Sequence, residues 1–240
     1  MSQTLWRGTW RGRSPDGLLH QPARDTVRPT GAIVRGKFPS RKTGRMVTFE
    51  GLLEWRALYL FEASPAVLSY TEQPETARYP DGRRLRRYTP DFELALRDGS
   101  SMLIEVKPKA NAIRPEIRDK LSAVADSFHM RGRRFHILTD EKICIEPRLT
   151  NLQRIYHQAR RIPPSAEQGL MAVRNLATAF PISIGDAVAR LSPMGLEPYS
   201  LLMAGSLICD LSTPLTLDTH LYANLENSDE WFRISDGFGF

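Results

Sequence analysis

Thr89-Pro90-Asp91 is followed, after thirteen intervening residues, by Glu105-Val106-Lys107. Side chains two apart on a strand share a face, so Glu105 and Lys107 point the same way. Asp98-Gly99 between the two segments is a turn signal, and folding there brings Asp91 within reach of that pair. Two carboxylates and an ammonium then converge on one edge of a sheet. Hard oxygen ligands of this kind suit Mg²⁺, with Mn²⁺ able to substitute, and leave positions open for water and substrate phosphate. Such an ion polarises a phosphoryl group, and the lysine stabilises developing negative charge or orients the attacking water. The chemistry is that of phosphodiester hydrolysis. An acid–x–lysine pair alone is common on solvated strands; the Pro-Asp ahead of the turn gives this one its weight. A third acid comes from upstream, where Glu50 and Glu54 stand four apart on one face of an expected helix. Glu54 is the better candidate because it flanks the apolar stripe at Leu53 and Ala57. Glu62 reads as a solvated helix charge.

The elements that must position these residues follow from periodicity. Leu53, Ala57, Leu60 and Phe61 predict an amphipathic helix over 48–63, ended by Ser64-Pro65. Strands are expected over 66–73, 75–79 and 85–88, the last two joined at Pro80-Asp81-Gly82. Further strands are expected from Asp91 to Leu96 and over 102–107. A long helix is predicted over 113–131, with Ile117, Leu121, Val124 and Phe128 on one face, and a last strand over 134–138. This order describes an α/β domain, a mixed sheet flanked by helices. After a helix around 149–160, Ile162-Pro163-Pro164-Ser165 breaks the chain. Three short helices (166–179, 184–191, 197–205) and two β-prone pieces (207–210, 216–222) then outline a small winged-helix-like α+β domain. The expected division is a basic flexible arm over 1–45, a nuclease domain over 46–145, and the connecting helix with the winged-helix-like domain over 146–240.

The 240 residues carry 33 Lys and Arg against 27 Asp and Glu, a net +6 that is unevenly placed. Residues 1–45 hold ten basic residues and two acids, giving +8. Residues 166–240 hold three arginines and nine acids, giving −6, which leaves +4 for the middle. The basic excess points to nucleic acid at the arm and central region, with Arg41 and Lys42 as candidate phosphate contacts. The acidic third lacks basic residues over 197–205, where a DNA-reading helix would carry them, and so points to a protein partner. No apolar run reaches the ~18–20 residues of a membrane span, and no short apolar secretory core opens the chain. A reducing, cytoplasmic setting of bacterial type is expected. Cys144 and Cys209 make neither a disulfide framework nor a zinc site.

His20, His129, His136, His157 and His220 form no metal or nucleophile motif and are weak rivals to the carboxylates. Trp55, Tyr70 and Phe92 read as core. Gln73 fits either a hairpin hydrogen bond or a supporting role at the site.

Asp91, Glu105 and Lys107 resemble the signature of PD-(D/E)XK nucleases, whose restriction-endonuclease-like fold is a mixed sheet flanked by helices. The wider pattern resembles TnsA-type endonucleases: Gly36-Lys-Phe-Pro-Ser-Arg-Lys42, Phe49-Glu-Gly-Leu-Leu-Glu54, Glu72-Gln73-Pro74, Tyr88-Thr-Pro-Asp-Phe92, Glu105-Val-Lys-Pro108, Phe135-His-Ile-Leu-Thr-Asp140 and Asn151-Leu-Gln-Arg154. That resemblance implies an active site of Glu54, Asp91, Glu105 and Lys107, with Asp91, Glu105 and Glu54 toward the metal. It also implies cutting of double-stranded DNA at the 5′ ends of a transposable element, beside a DDE-type transposase subunit and an AAA+ regulator that contacts the C-terminal domain. Gly51 departs from the serine common in such sequences and is expected to loosen the helix by about 0.5–1 kcal/mol. A stand-alone restriction or repair-type endonuclease and a catalytically silent DNA-holding assembly factor are the alternative readings.

Overall fold

The computed structural model describes residues 34–162, 164–225 and 232–235, together with residue 23. The chain forms two compact units, one of residues 1–61 and 67–143, the other of residues 62–66 and 144–240.

The first unit begins with a two-stranded hairpin, β1 (Arg35–Pro39) against β2 (Met46–Glu50). Residues 35–45 are therefore a strand and its loop and not part of a flexible arm, and 48–50 are strand and not helix. Phe38 pairs with Val47 and both are buried, so this stretch has a core of its own. Gly36 is required by the pairing, because a Cβ there would stand 2.5 Å from Cζ of Phe49. The connecting loop closes through Ser40 N–H to Arg45 O at 2.9 Å and Thr43 N–H to Ser40 Oγ at 3.1 Å. Helix α1 (Leu52–Ala63) starts only after Gly51, whose φ of +133° is a turn conformation that side chains rarely adopt. Gly51 therefore does not loosen a helix; it makes the corner between β2 and α1.

The main sheet contains β3 (Val67–Glu72), β6 (Phe92–Leu96), β7 (Ser101–Val106) and β8 (Arg134–Leu138), in that spatial order. β6 runs antiparallel to both β3 and β7, and β8 is parallel to β7. The sheet is thus mixed. A separate hairpin, β4 (Ala77–Asp81) with β5 (Arg84–Tyr88), lies between β3 and β6 in the chain. The β7-to-β8 crossover carries α2 (Lys109–Ala112) and α3 (Pro115–His129). One continuous helix was expected here, but Pro115 disfavours helical geometry at Arg114, which is extended at φ −61° and ψ 132°. Pro115 then opens α3 at a position where its missing N–H costs nothing. On one face of the sheet, Leu103 packs with Tyr79, Tyr88, Leu121, Val124 and Phe128. On the other, Phe61 of α1 meets Tyr70 at 5.5 Å and Phe92 at 5.4 Å. A short helix, α4 (Asp140–Ile143), ends the unit.

The second unit contains α5 (Arg148–Gln158), α6 (Ala166–Asn175), α7 (Ile184–Leu191) and α8 (Pro198–Met203). Three antiparallel strands, β10 (Leu207–Cys209), β11 (His220–Ala223) and β9 (Ile182–Ser183), form its sheet in that order. The caps are those of the sequence: Ser165 with Gln168, Ser183, and Glu197 accept backbone N–H groups at the starts of α6, α7 and α8. Buried Asn151 donates to Leu211 O at 3.1 Å and Thr213 O at 2.7 Å, and accepts from Leu215 N–H at 3.0 Å. That clamp holds the 211–215 segment as a loop. The strand expected from 216 accordingly starts only at His220. Both cysteines are free, and no helix among the described residues is long and apolar enough to cross a membrane.

Candidate active site

The antiparallel register of β6 and β7 pairs Phe92 with Ile104 and Glu93 with Leu103. One step beyond Phe92, Asp91 stands opposite Glu105. Phe92, Leu94, Met102 and Ile104 occupy the face toward α1, so alternation puts Asp91 and Glu105 together on the other. Asp91 is held at both ends. Its Oδ2 accepts from Val106 N–H at 2.7 Å, and its backbone carbonyl accepts from Gln73 N–H at 2.8 Å.

Gln73 owes its position to a buried clamp. The Arg45 guanidinium donates to both carboxylate oxygens of Glu72, at 2.8 and 2.5 Å, and Thr48 N–H adds a third bond at 3.2 Å. Gln73, next in the chain, has φ of +45°, unusual for a residue with a side chain, and its Oε1 is buried without a hydrogen-bond partner among the described residues. The clamp therefore fixes the end of β3, from which the strained Gln73 backbone grips Asp91. This supporting role was one of the two open readings of Gln73.

Lys107 Nζ lies 2.8 Å from Glu105 Oε1. Burial pulls the ammonium pKa down, but Glu105 first, then Asp91 and Glu54, more than offset it and hold the value above the ordinary lysine range. Lys107 stays protonated at neutral pH. It is a hydrogen-bond donor and a positive charge, not a base. Asp91 is the opposite case. Burial, then the charges of Glu105 and Glu54, push its pKa well above the usual carboxylate range against the pull of the Val106 N–H and Lys107.

Glu54 thus acts electrostatically on both Asp91 and Lys107. Its Oε2 accepts from Glu50 N–H at 2.8 Å, closing the corner at Gly51. Glu50 is the strand residue before that corner and pairs with Arg35 at 3.3 Å, so the two glutamates do not share a helix face. Glu62, read as a solvated helix charge, is instead fully buried.

Sequence reasoning missed Tyr88. Its ring packs edge-on against Tyr79 and Phe135, each at 6.2 Å, and its hydroxyl is buried, interacting with Glu105 but making no hydrogen bond of regular geometry among the described residues. Burial, then nearby Glu105 and Asp91, hold the phenol pKa far above its usual range, so it faces the carboxylates as a protonated donor. Its place immediately before Thr89-Pro90-Asp91 is the signal that could have found it.

Arg41 and Lys42 lie in the loop joining β1 to β2. Lys42 Nζ donates to Val67 O at 2.5 Å, which commits this lysine to β3 instead of a free arm. His136 faces α1 beside Ile104, and burial lowers its pKa to about 4, leaving it neutral. His20 lies outside the described residues. Among the described residues no group of three or more His, Cys, Asp or Glu side chains is placed to hold a metal ion. The site is two facing carboxylates, a third nearby and one lysine.

No curated protein matches the chain. Residues 64–140, about a third of its length and a stretch that includes Tyr88, Asp91, Glu105 and Lys107, match the family model of the TnsA-like endonuclease N-terminal domain. Over that segment the chain is similar to the N-terminal domain of TnsA-like endonucleases.

Proposed function

We propose that this protein is the metal-dependent DNA endonuclease subunit of a cut-and-paste transposase, hydrolysing phosphodiester bonds at the 5′ ends of the element. The observation that carries the reading is the excess of negative charge at Asp91 and Glu105, with one lysine beside them, inside the matched segment.

The donor set fits a hard divalent cation. Asp91 is destabilised as an anion by its neighbours, and a cation between two facing carboxylates would relieve that repulsion. Mg²⁺ is commonly held by only one or two carboxylates and substrate phosphate, so a preformed three-acid cage is not required. Asp91 and Glu105 would hold Mg²⁺ or Mn²⁺, and Glu54 would add its charge alongside. When bound, the ion would supply electrophilic activation of the phosphate and of water. Lys107, protonated and already oriented by Glu105, donates to the phosphoryl oxygens as their charge grows and helps align the attacking water. Tyr88 offers a second donor from the buried side. The Val106 N–H and Gln73 N–H hold Asp91 still throughout.

The second unit has a helix–strand–helix–helix–hairpin order, which supports a winged-helix-like domain. Its sequence is acidic, which favours a protein partner, here the AAA+ regulator, while a DDE-type transposase subunit would process the 3′ ends. Exposed Glu167 and Asp218 are candidates for that docking. Charge reversal at both should weaken capture of the regulator and leave DNA binding intact.

The deciding experiment maps strand-specific cuts on element-end DNA, with and without the transposase subunit. Asp91→Ala should abolish the 5′-strand cut while assembly with the partner persists. Equal cutting by wild type and variant would overturn the site. Robust, partner-independent cutting would favour a stand-alone endonuclease.

A further inference from the structure

The β4–β5 hairpin carries Arg78, Arg83, Arg84, Arg86 and Arg87 against one acid, Asp81, within the twelve residues from Ala77 to Tyr88. Its register pairs Arg78 with Arg87, Tyr79 with Arg86, Pro80 with Leu85 and Asp81 with Arg84. Alternation sorts these into two faces. Ala77, Tyr79 and Tyr88 are buried on one, at the base of the ribbon. Arg78, Pro80, Leu85 and Arg87 are exposed on the other, where Leu85 keeps 68% of its surface in contact with solvent.

Two features of that outer face work against the isolated fold. Arg78 and Arg87 are directly opposite, and like charges in that position disfavour strand pairing. An exposed leucine between them contributes nothing to a core. Arg86 is paired with Asp81, but among the described residues no ion pair engages the guanidinium of Arg78, Arg83, Arg84 or Arg87. The ribbon is nonetheless firmly based. Ser127 Oγ of α3 and Arg131, in the turn after it, donate to the Arg78 carbonyl at 3.1 and 2.8 Å. An anchored ribbon that keeps unneutralised arginines from its base to its tip is built to meet an extended anion.

β5 then runs directly into Thr89-Pro90-Asp91. At about 3.3 Å per extended residue, Arg87 lies at most ~13 Å of chain from Asp91 and Arg84 at most ~23 Å. Measured along a duplex, with about 3.4 Å of axis per nucleotide of each strand, this corresponds to phosphates up to roughly four and seven nucleotides from the reacting one. Arginine's planar fork also matches phosphate oxygens in pairs. We propose that the β4–β5 ribbon is a DNA-backbone clamp, with Arg78 and Arg87 on its outer face and Arg84 at its exposed tip gripping duplex phosphates beside the phosphodiester presented to Asp91 and Glu105. This assignment rests on the nuclease reading and adds a surface that holds its substrate.

The test uses the full chain and a fluorescein-labelled 30-base-pair duplex of arbitrary sequence. Anisotropy titrations in EDTA, which prevents cutting, are run from 50 to 200 mM KCl. Each phosphate contact adds about 0.9 to the slope of log affinity against log salt. Replacing Arg78, Arg84 and Arg87 with Gln should lower that slope by about 2.7, so wild type loses about 40-fold more affinity than the variant across this range. The matching Lys variant should recover most of the slope, which separates lost charge from lost fold. A Gln variant that binds with wild-type slope and affinity overturns the clamp alone. Wild-type protein that binds no duplex at any salt overturns the nuclease reading along with it. Asp91→Ala should bind with an unchanged slope.

Discussion

Asp91→Asn should make the folded protein more stable at neutral pH while removing its activity. The register sets Asp91 opposite Glu105 on one face. Such pairs have Cβ atoms about 4.5–5.5 Å apart, so the two charges lie roughly 5–6 Å from each other. At an effective dielectric constant near 20, that repulsion is about 3 kcal/mol. Lys107, 2.8 Å from Glu105, cancels part of it, and Glu54 adds to it. A net gain of about 1–3 kcal/mol is expected from Asn, which removes the charge and can still accept the Val106 N–H.

The sign fixes the pH dependence. Asp91's pKa is raised in the folded state, so a protonated Asp91 favours folding and that contribution is lost as pH rises through the folded value. The advantage of Asn over Asp is therefore small at acid pH and grows as pH rises above the ordinary carboxylate range. Urea unfolding in EDTA at pH 5 and pH 8 reads it. Mg²⁺ should narrow the gap: at ten times its dissociation constant it would stabilise wild type by about 1.4 kcal/mol and leave the variant unaffected. An Asn variant less stable than wild type at pH 8, or an increment unchanged at pH 5, would refute the charge argument. Equal Mg²⁺ shifts in both proteins would refute the ligand assignment.

Three further perturbations probe the scaffold. Glu72→Ala strands a buried Arg45 guanidinium and should cost about 3–5 kcal/mol in urea unfolding, while the double change to Arg45→Met and Glu72→Leu should recover most of it. Gly51→Ala forces a side chain to φ +133° and should cost about 1–3 kcal/mol, although no atom crowds the new Cβ. Tyr88→Phe removes a buried hydroxyl that lacks a regular partner, so stability should hold or rise by about 1 kcal/mol while DNA cutting slows. A loss above 1 kcal/mol would mean that the hydroxyl is already well bonded in the free protein.

The facing of Asp91 and Glu105 was legible because everything it needs is local: alternation along two neighbouring strands and the turn between them. The strand over 134–138 and the helix over 184–191 were legible for the same reason, each being bounded by its own turn or cap residues. The first strands were not. Met46 to Glu50 runs straight into helical periodicity, and only pairing with residues 35–39 makes it a strand. That pairing also turned Gly51 from a defect into a corner. The Arg45–Glu72 clamp joins residues 27 apart, and the Gln73 grip on Asp91 depends on where that clamp sits. Neither leaves a periodic trace. The hairpin arginines were visible as residues, but their meaning rests on which of them face outward, and that follows from register.

Two buried acidic sites in the first unit differ in how their charge is balanced, and the difference separates structure from chemistry. Glu72 is buried and fully answered: two guanidinium bonds and a backbone N–H leave its carboxylate with a closed shell of donors. An acid serving only the fold is expected to look like this, since an unanswered buried charge is heavily penalised. At Asp91, Glu105 and Glu54 the fold supplies one ammonium, and Asp91 is left destabilised as an anion. The same small unit therefore neutralises one buried acid and leaves the other group short of positive charge, immediately beside a ribbon with arginines to spare. Ordinary surface acids would have escaped the cost by pointing into water. These are held in place by Val106, Gln73 and the Gly51 corner, so the fold maintains the deficit; a cation and a phosphodiester, the one positive and the other drawn to the arginines, are the pair of ligands that would make use of it.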